Sequence, residues 1–251
     1  MFYGRLKGQD GERFRDALKT LQELCGPMFA SDNLIGLQRA AGFREDQKFV
    51  ETLKRNAETK QELSLAWRLH TLLWAAQNTL HLPGDFVECG VWKGFCFAFI
   101  TDYLQFQSID KTLYLYDTYE GIPDEMNSER RSNQAYERDV KDDPDAILKV
   151  VQKRFADVPN TRIVRGMVPD SFAQTCPNQV ALLHIDMNSA ASEIAALEVL
   201  FDKVVPGGMI VFDDYGWTGY AAQRHAENAF MAERGHNVLE LPTGQGLVIK
   251  H

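Results

Sequence analysis

Val180-Ala-Leu-Leu-His-Ile-Asp186 and Gly208-Met-Ile-Val-Phe-Asp-Asp214 are two short apolar segments that each end in aspartate. Continuous apolar runs of this length are typical of strands that are buried on both faces of a parallel sheet. A carboxylate at the end of such a strand needs a cation, a hydrogen-bond donor or a ligand to offset its burial. In open α/β sheets, ligands bind just beyond the carboxyl ends of the strands. The two segments therefore predict one polar site at one edge of one sheet.

Strand-like and helix-like patterns alternate from Leu82 to the end of the chain. Such alternation predicts βαβ units, and therefore a Rossmann-like, doubly wound α/β fold with a mostly parallel sheet over residues 81–251. The last two strand-like runs, 237–241 and 246–250, are joined by the turn-forming segment Pro242-Thr-Gly-Gln-Gly. This pattern predicts a C-terminal hairpin in which one strand is antiparallel to the others.

Two parts of the chain are predicted to lie outside the sheet. Residues 1–80 show apolar residues at helical spacing and no strand signal, and the strongest helical pattern covers Gln61–Leu80. We expect this N-terminal helical segment to serve as a lid, an oligomer contact or both. The polar stretch Glu120–Asp145 predicts a long loop or flap over the site.

Composition excludes several classes of protein. A net charge of −8 argues against a general affinity for nucleic acid or anionic membranes. The first residues lack the apolar core of a signal peptide. No apolar run approaches the roughly 20 residues of a membrane span. The four cysteines show no metal-type spacing, so we expect a reduced cytoplasmic protein with no nucleic-acid or membrane partner.

The segment Glu88-Cys-Gly-Val-Trp-Lys-Gly94 follows a predicted strand and opens a predicted helix. Gly90 permits a tight backbone turn, and Gly94 lets a ligand approach the N-terminus of the helix. The spacing differs from the G-x-G-x-x-G fingerprint, so a plain strand–helix turn stays an alternative. The next predicted strand ends in Asp117, where nucleotide-binding folds use an acid to bind ribose hydroxyls. Together these features predict a nucleotide-like cofactor.

Three motifs carry a family resemblance: Gly84-Asp-Phe-Val-Glu-Cys-Gly-Val-Trp-Lys-Gly94, Asp117-Thr-Tyr-Glu-Gly-Ile-Pro123 and Phe212-Asp-Asp-Tyr-Gly216. They resemble the macrocin O-methyltransferase family, from about Trp67 to the C-terminus, whereas residues 1–60 carry none of the motifs. Members of that family are class I S-adenosylmethionine (SAM)-dependent enzymes that methylate sugar hydroxyls of macrolides and related natural-product hydroxyls. The resemblance therefore implies SAM as the cofactor, a sugar or other natural-product hydroxyl as the small-molecule acceptor, and a homo-oligomer.

The resemblance also implies roles for individual residues. The segment Glu88–Gly94, the glycine turn, would line the methionine end of SAM. Asp117 would hold the ribose, and Gly166 and Met167 would lie near the adenine. The complete set of predicted cofactor-binding residues is Glu88, Gly90, Trp92, Gly94, Asp117, Gly166, Met167 and Asp186.

In enzymes of this family, three carboxylates at strand ends hold a magnesium ion, and the matching positions here are Asp186, Asp213 and Asp214. Mg²⁺ prefers oxygen ligands and keeps positions open for substrate oxygens. A metal-bound hydroxyl also loses its proton more easily. The alternative is that Asp213 and Asp214 only cap the following segment through hydrogen bonds to backbone N–H groups.

One position departs from the family pattern. Members with the D-x-D motif carry a second Asp as general base, where this chain has Asn188, whose amide cannot usefully accept a proton. Another group is then the base, or the metal alone acidifies the hydroxyl, or the chemistry has been lost. His184, His225 and His70 are candidate bases because histidine titrates near pH 7. The apolar strand around His184 favours a packed core residue, so Asp186 and His225 are the predicted catalytic residues.

Three other functions stay open. The first is a methyltransferase with a different acceptor atom, or a catalytically impaired cofactor-binding relative, which Asn188 favours. The second is a nucleotide-dependent oxidoreductase on a Rossmann sheet, although the missing G-x-G-x-x-G argues against it. The third is a binding module without enzymatic activity, which has little need for three acids at one sheet edge.

Overall fold

A computed structural model of the protein describes residues 6–122 and 145–251. The chain forms two compact units, Met1–Thr71 and Leu72–His251. The boundary falls inside a helix and earlier than the predicted boundary after residue 80. Nearly all of the predicted flap lies outside the described residues. The lid or oligomer role of the N-terminal segment stays a prediction.

The first unit combines helices with a short hairpin. Its elements are α1 (Gly8–Cys25), β1 (Met28–Ser31), β2 (Leu34–Leu37), a 3₁₀ turn (Gly42–Arg44), α2 (Gln47–Asn56), α3 (Lys60–Ser64) and the first residues of α4 (Ala66–Thr79). Two helices begin at capping side chains, which satisfy backbone N–H groups that have no partner within the helix. Asp46 accepts the N–H of Phe49 at the start of α2, and Thr59 and Glu62 form a capping box on α3.

The β1–β2 hairpin shows that the expectation of no strand within residues 1–80 is wrong. Ser31 pairs with Leu34 across a two-residue connection, Asp32 and Asn33. Both connecting residues have positive φ, 47° and 63°, which is the conformation that type I′ turns require and that Asp and Asn tolerate. Each strand has only four residues, which is too short for an alternating pattern to stand out in the sequence.

Aromatic side chains form the core of the first unit. Phe43 lies with its ring centroid 5.4 Å from Phe49, 5.4 Å from Trp67 and 5.1 Å from His70. Trp67 also meets Phe29 edge-on at 4.9 Å. Burial lowers the pKa of His70. In the part of the chain that is described, His70 is therefore a packing residue of the N-terminal unit, and its surroundings favour the neutral ring.

The second unit contains the predicted sheet. Its elements are the end of α4, β3 (Asp85–Cys89), α5 (Phe95–Leu104), β4 (Leu113–Asp117), α6 (Ala146–Arg154), β5 (Thr161–Arg165), β6 (Val180–Ile185), α7 (Ala190–Leu200), β7 (Val204–Phe212), α8 (Ala221–Glu233), β8 (Leu239–Glu240) and β9 (Gly246–Ile249). Among the described residues of this unit there are also 3₁₀ turns at Phe106–Ser108, Asp170–Ala173, Phe201–Lys203 and Thr218–Tyr220.

The seven strands are ordered β5-β4-β3-β6-β7-β9-β8. The first five are mutually parallel, and β9 runs antiparallel to both β7 and β8. This arrangement confirms the predicted mostly parallel α/β sheet and its closing hairpin. Because β3, β4, β6 and β7 are parallel neighbours, their carboxyl ends lie along one edge of the sheet.

The core of the second unit lies against both faces of the sheet. All six residues of β6 are buried, which explains why this strand is a continuous apolar run rather than an alternating one. The apolar cluster around it includes Val87, Tyr116, Leu197, Phe212 and Val248. Among the described helices, none has the length and apolar character needed to cross a bilayer.

Candidate active site

Asp117 closes the glycine turn that follows β3. Its Oδ2 atom accepts the backbone N–H groups of Val91 at 2.7 Å and Trp92 at 2.8 Å. Its Oδ1 atom accepts the N–H of Tyr119 at 2.7 Å. Burial raises the pKa of Asp117, and the three backbone hydrogen bonds oppose the rise. The predicted ribose ligand therefore holds the backbone of the turn, a role that its position at a strand end does not reveal.

Gly90 is the residue at which the turn touches the neighbouring strand. Its φ is 85°, and a Cβ added there would lie 2.0 Å from the carbonyl oxygen of Asp186. Its N–H donates to the carbonyl of Tyr116 at 2.9 Å. Gly94 also has a positive φ, 75°, and begins α5. The tight turn predicted at Gly90 is confirmed, and the reason for glycine there is the close approach of β3 to the end of β6. At Gly94 an added Cβ would lie 2.9 Å from the ring of Phe155, and the approach of a ligand to this position stays a prediction.

The strand-end aspartates lie on neighbouring strands. The N–H of Asp186 donates to the carbonyl of Cys89 at 2.8 Å, and the N–H of Asp213 donates to the carbonyl of Ile185 at 2.9 Å. Asp213 is 5% exposed, whereas Asp186 and Asp214 are half-buried. The structure therefore brings the ends of β6 and β7 together beside the glycine turn, at the edge that the sequence predicts.

The geometry does not support the predicted magnesium site. Within residues 6–122 and 145–251, no group of three or more His, Cys, Asp or Glu side chains is arranged to hold a metal ion. Asp213 is engaged otherwise, because its Oδ1 atom accepts the side-chain amide of Gln245 at 2.9 Å and lies 3.6 Å from His184 Nε2. Asp186, Asp213 and Asp214 as positioned do not fit the ion.

His184 lies completely buried between two carboxylates. Its Nδ1 atom is 3.1 Å from Glu88 Oε1, and its Nε2 atom is 3.6 Å from Asp213 Oδ1, which is an ion-pair distance but too long for a hydrogen bond. Burial lowers the pKa of His184, but the two carboxylates outweigh it and raise the pKa to about 10. The two carboxylates favour the protonated ring, and a ring held between two carboxylates is a poor general base.

Glu88 presents an unsatisfied oxygen at the start of the glycine turn. The residue is 2% exposed, and burial raises its pKa to about 7 against the opposing effect of His184. In the described part of the chain its Oε2 atom is buried without a hydrogen-bond partner. A buried carboxylate oxygen without a donor is costly, so this atom is suited to receive a donor from a ligand.

A second buried acidic cluster lies beside the loop that follows β6. Glu193 on α7 accepts the N–H of Met187 at 3.3 Å and the side-chain amide of Gln223 at 3.0 Å. Glu227 on α8 is 1% exposed. Burial raises the pKa of both acids, and that of Glu227 rises to about 7. The pair therefore keeps a proton near neutral pH and supports the loop after Asp186. This cluster was not predicted, because helical periodicity does not show that two glutamates 34 positions apart share a site.

Two other predicted positions differ in their surroundings. Gly166 donates its N–H to the carbonyl of Asp117 at 3.0 Å, so Gly166 and Met167 lie beside the end of β4, and their contact with adenine stays a prediction. His225, by contrast, is exposed on α8, and among the described residues it forms no hydrogen bond or ion pair. Its role as general base stays a prediction.

The sheet order, the glycine turn after β3 and the antiparallel β9 define the fold of a class I methyltransferase. Solved structures share this fold. The O-methyltransferase NovP aligns with a TM-score of 0.62 and 21% identity over 81% of this chain and 88% of NovP. The SAH-bound methyltransferase PaMTH1 of Podospora anserina aligns with a TM-score of 0.54 and 11% identity, over 98% of each chain.

Residues 65–238 match the Macrocin-O-methyltransferase (TylF) family, and the chain belongs to that family. Mycinamicin III 3''-O-methyltransferase of Micromonospora griseorubida is 25% identical over 190 residues, which cover 70% of this chain and 74% of the relative. A tetracenomycin-rhamnoside 4'-O-methyltransferase of Streptomyces olivaceus is 26% identical over 59% of this chain and 60% of its own length. The predicted family is confirmed, and membership of it favours a methyltransferase over the oxidoreductase and the binding module.

Proposed function

We propose that this protein is a SAM-dependent O-methyltransferase that acts on a hydroxyl of a sugar or another small natural product. Membership of the Macrocin-O-methyltransferase family supports the reaction. The two sequence relatives are named as O-methyltransferases of mycinamicin III and of a rhamnosyl tetracenomycin, which supports the acceptor class. The observation that carries the proposal is the turn at Glu88–Gly94, which Asp117 closes beside the strand-end acids.

The residues around the turn fit a SAM molecule. Glu88 Oε2 is a buried acceptor without a partner in the described residues, as expected of an atom that receives the ammonium group of the methionine moiety. Asp117 holds three N–H groups with its two oxygens, and its Oδ1 atom also lies 3.4 Å from the Thr118 hydroxyl. The single proton of that hydroxyl is closer to the carbonyl of Gly121, at 2.6 Å, so one of the about four acceptor positions of the carboxylate is left for a ribose hydroxyl. Gly166 and Met167 are the proposed adenine contacts.

SAM, when bound, supplies an electrophilic methyl group on a sulfonium sulfur. The chain supplies orientation, because the turn and the strand-end acids hold cofactor and acceptor at the same sheet edge. The acceptor hydroxyl loses its proton as its oxygen takes the methyl group. Asp186, at the end of β6, and His225, on α8, are the proposed groups for that proton.

Calorimetric titration with SAM, S-adenosylhomocysteine (SAH) and NAD tests the cofactor. We expect micromolar binding of SAM and SAH and no binding of NAD. Absence of SAM and SAH binding would remove the proposal. Methyl transfer is then measured from radiolabelled SAM to a panel of glycosides that includes mycinamicin III, the acceptor named for the M. griseorubida relative.

Magnesium is tested separately because the geometry does not support its site. Transfer rates are compared after EDTA treatment and after Mg²⁺ is restored, with Asp213→Asn as the variant. A requirement for Mg²⁺ that weakens in the variant would support the ligand assignment. Equal rates with and without the metal would show that the side chains of the protein suffice.

Asn188 favours a second candidate within the same family. A relative that binds the cofactor but transfers the methyl group to a nitrogen or carbon, or not at all, has less need of an acid there. SAM binding without transfer to any hydroxyl in the panel would support this candidate. Asn188→Asp is the matched variant, and a gain of transfer would identify the missing base. Cytoplasmic location and homo-oligomerisation stay predictions, and the mass in solution tests the second.

A further inference from the structure

A line of buried polar side chains crosses four neighbouring strands of the second unit. It begins at Glu88 on β3, continues through His184 on β6 and Asp213 after β7, and ends at Gln245 and Thr243 before β9. Each member is at most 5% exposed. The family motifs account for Glu88 and Asp213, but not for the residues that join them.

The strand register explains why these side chains meet. Glu88 and His184 are direct partners in the parallel β3–β6 ladder, so their side chains leave the sheet on the same face. Asp213 lies one residue beyond Phe212, which pairs with Ile185. The imidazole therefore extends between the ends of β3 and β7.

His184 makes the contact that joins the two sides. Its Nδ1 atom reaches Glu88 Oε1 at 3.1 Å, and its Nε2 atom, at the other end of the ring, lies 3.6 Å from Asp213 Oδ1. A further amide, Gln245 Nε2, holds the same Asp213 oxygen at 2.9 Å. The contact with His184 Nδ1 fixes Glu88 Oε1 and thereby sets the direction of Glu88 Oε2, the atom left for a ligand.

We propose that His184 is a positioning residue. It holds the Glu88 carboxylate for the cofactor, and it holds the Asp213 carboxylate at the end of β7, where the acceptor would bind. The proposal rests on the proposed function, because Glu88 matters to SAM only if SAM binds at the glycine turn. It differs from a packing role for His184. A packing residue contributes to stability alone, whereas a positioning residue makes cofactor affinity depend on one particular nitrogen of the ring.

Two substitutions separate the nitrogens. In His184→Asn the amide nitrogen lies close to the former Nδ1 position and can still donate to Glu88, whereas in His184→Gln it lies close to the former Nε2 position and faces Asp213. We expect His184→Asn to bind SAH within about threefold of the unmodified protein, and His184→Gln to bind it about tenfold more weakly. Thermal unfolding of both variants gives the control for stability.

Equal SAH affinities in the two variants, at similar thermal stability, would overturn the proposal. If the variants do not fold, nitrogen NMR of the histidine rings in the unmodified protein replaces them. Addition of SAH is then expected to shift the His184 ring nitrogens, and unchanged resonances would overturn the proposal. Failure of the unmodified protein to bind SAH would instead remove the proposed function, so the two failures are distinguishable.

Discussion

The Oδ2 atom of Asp117 accepts the backbone N–H of Trp92 at 2.8 Å, across 25 positions of sequence. Trp92 is at the bend of the glycine turn, with a φ of 50° that non-glycine residues seldom adopt. A side chain from β4 thus stabilises a strained residue after β3. The shape of the proposed cofactor turn therefore depends on an acid in the neighbouring strand.

Replacement of Asp117 is expected to weaken cofactor binding. Asp117→Ala removes the acceptor for three peptide N–H groups. We therefore expect the binding free energy of SAH to become less favourable by about 1–3 kcal/mol, which appears as a higher Kd. Calorimetry measures the change. Asp110→Ala is the matched control, because Asp110 is an exposed acid just before β4. An unchanged Kd in Asp117→Ala would contradict both the turn-holding and the ribose-binding roles.

Gly90 is expected to tolerate no side chain. In Gly90→Ala the new Cβ would lie 2.0 Å from the carbonyl oxygen of Asp186, so the β3–β6 ladder must separate. Gly235→Ala is the matched control, because Gly235 also has a positive φ, 74°, but has no atom within 4 Å of the added Cβ. We expect the control to lose about 1–2 kcal/mol of unfolding free energy and Gly90→Ala to lose clearly more. Urea unfolding measures both, and equal losses would mean that the sheet edge accommodates the methyl group.

The sheet was predictable because its strands carry their own signal. β6 is an uninterrupted apolar run, and the acid after it predicted which end of the strand faces the site. The hairpin at Met28–Leu37 was not predicted, although the Asp32–Asn33 turn that forms it is a recognised signal. Short strands contribute few residues to a periodic pattern, so the turn chemistry was the better indicator there.

The contacts of the site were less predictable than its place in the fold. The sequence places His184 inside an apolar strand and therefore favours a packed residue, which agrees with its complete burial. Its two carboxylate partners come from other strands, and Glu88 is 96 positions away. Side-chain contacts of this kind depend on the register between strands, and no local pattern records that register. The same holds for Gln245, where only a turn was predicted.

Glu227→Gln is expected to change the pH dependence of stability. The pKa of Glu227 is raised by burial from 4.5 to about 7, so the folded protein binds the proton more tightly than the unfolded chain does. The resulting stabilisation is complete below pH 4.5 and is lost as pH rises through 7. Glutamine does not titrate, and its amide can donate to Glu193. The variant should therefore gain stability relative to the unmodified protein as pH rises, by at most about 3 kcal/mol at pH 8.

Thermal unfolding between pH 5 and pH 8 measures this difference. Glu233→Gln on the same helix is the control, because Glu233 is exposed and its substitution should leave the pH profile unchanged. Parallel profiles for Glu227→Gln and the unmodified protein would show that the Glu193–Glu227 pair does not hold its proton near neutral pH.

Arg68 and Asp32 form a buried ion pair, and loss of Arg68 alone should lower the unfolding free energy more than loss of both charges. Arg68 Nε lies 2.7 Å from Asp32 Oδ2, and the two side chains are 13% and 8% exposed. Arg68→Met removes a cation that lies beside a buried carboxylate, so we expect a loss of about 3 kcal/mol of unfolding free energy. Asp32→Asn keeps a residue that suits the left-handed turn, and the double variant removes both charges. Urea unfolding of the three variants should therefore show the double variant to be more stable than Arg68→Met alone. If the losses simply add, the pair contributes nothing beyond its separate side chains.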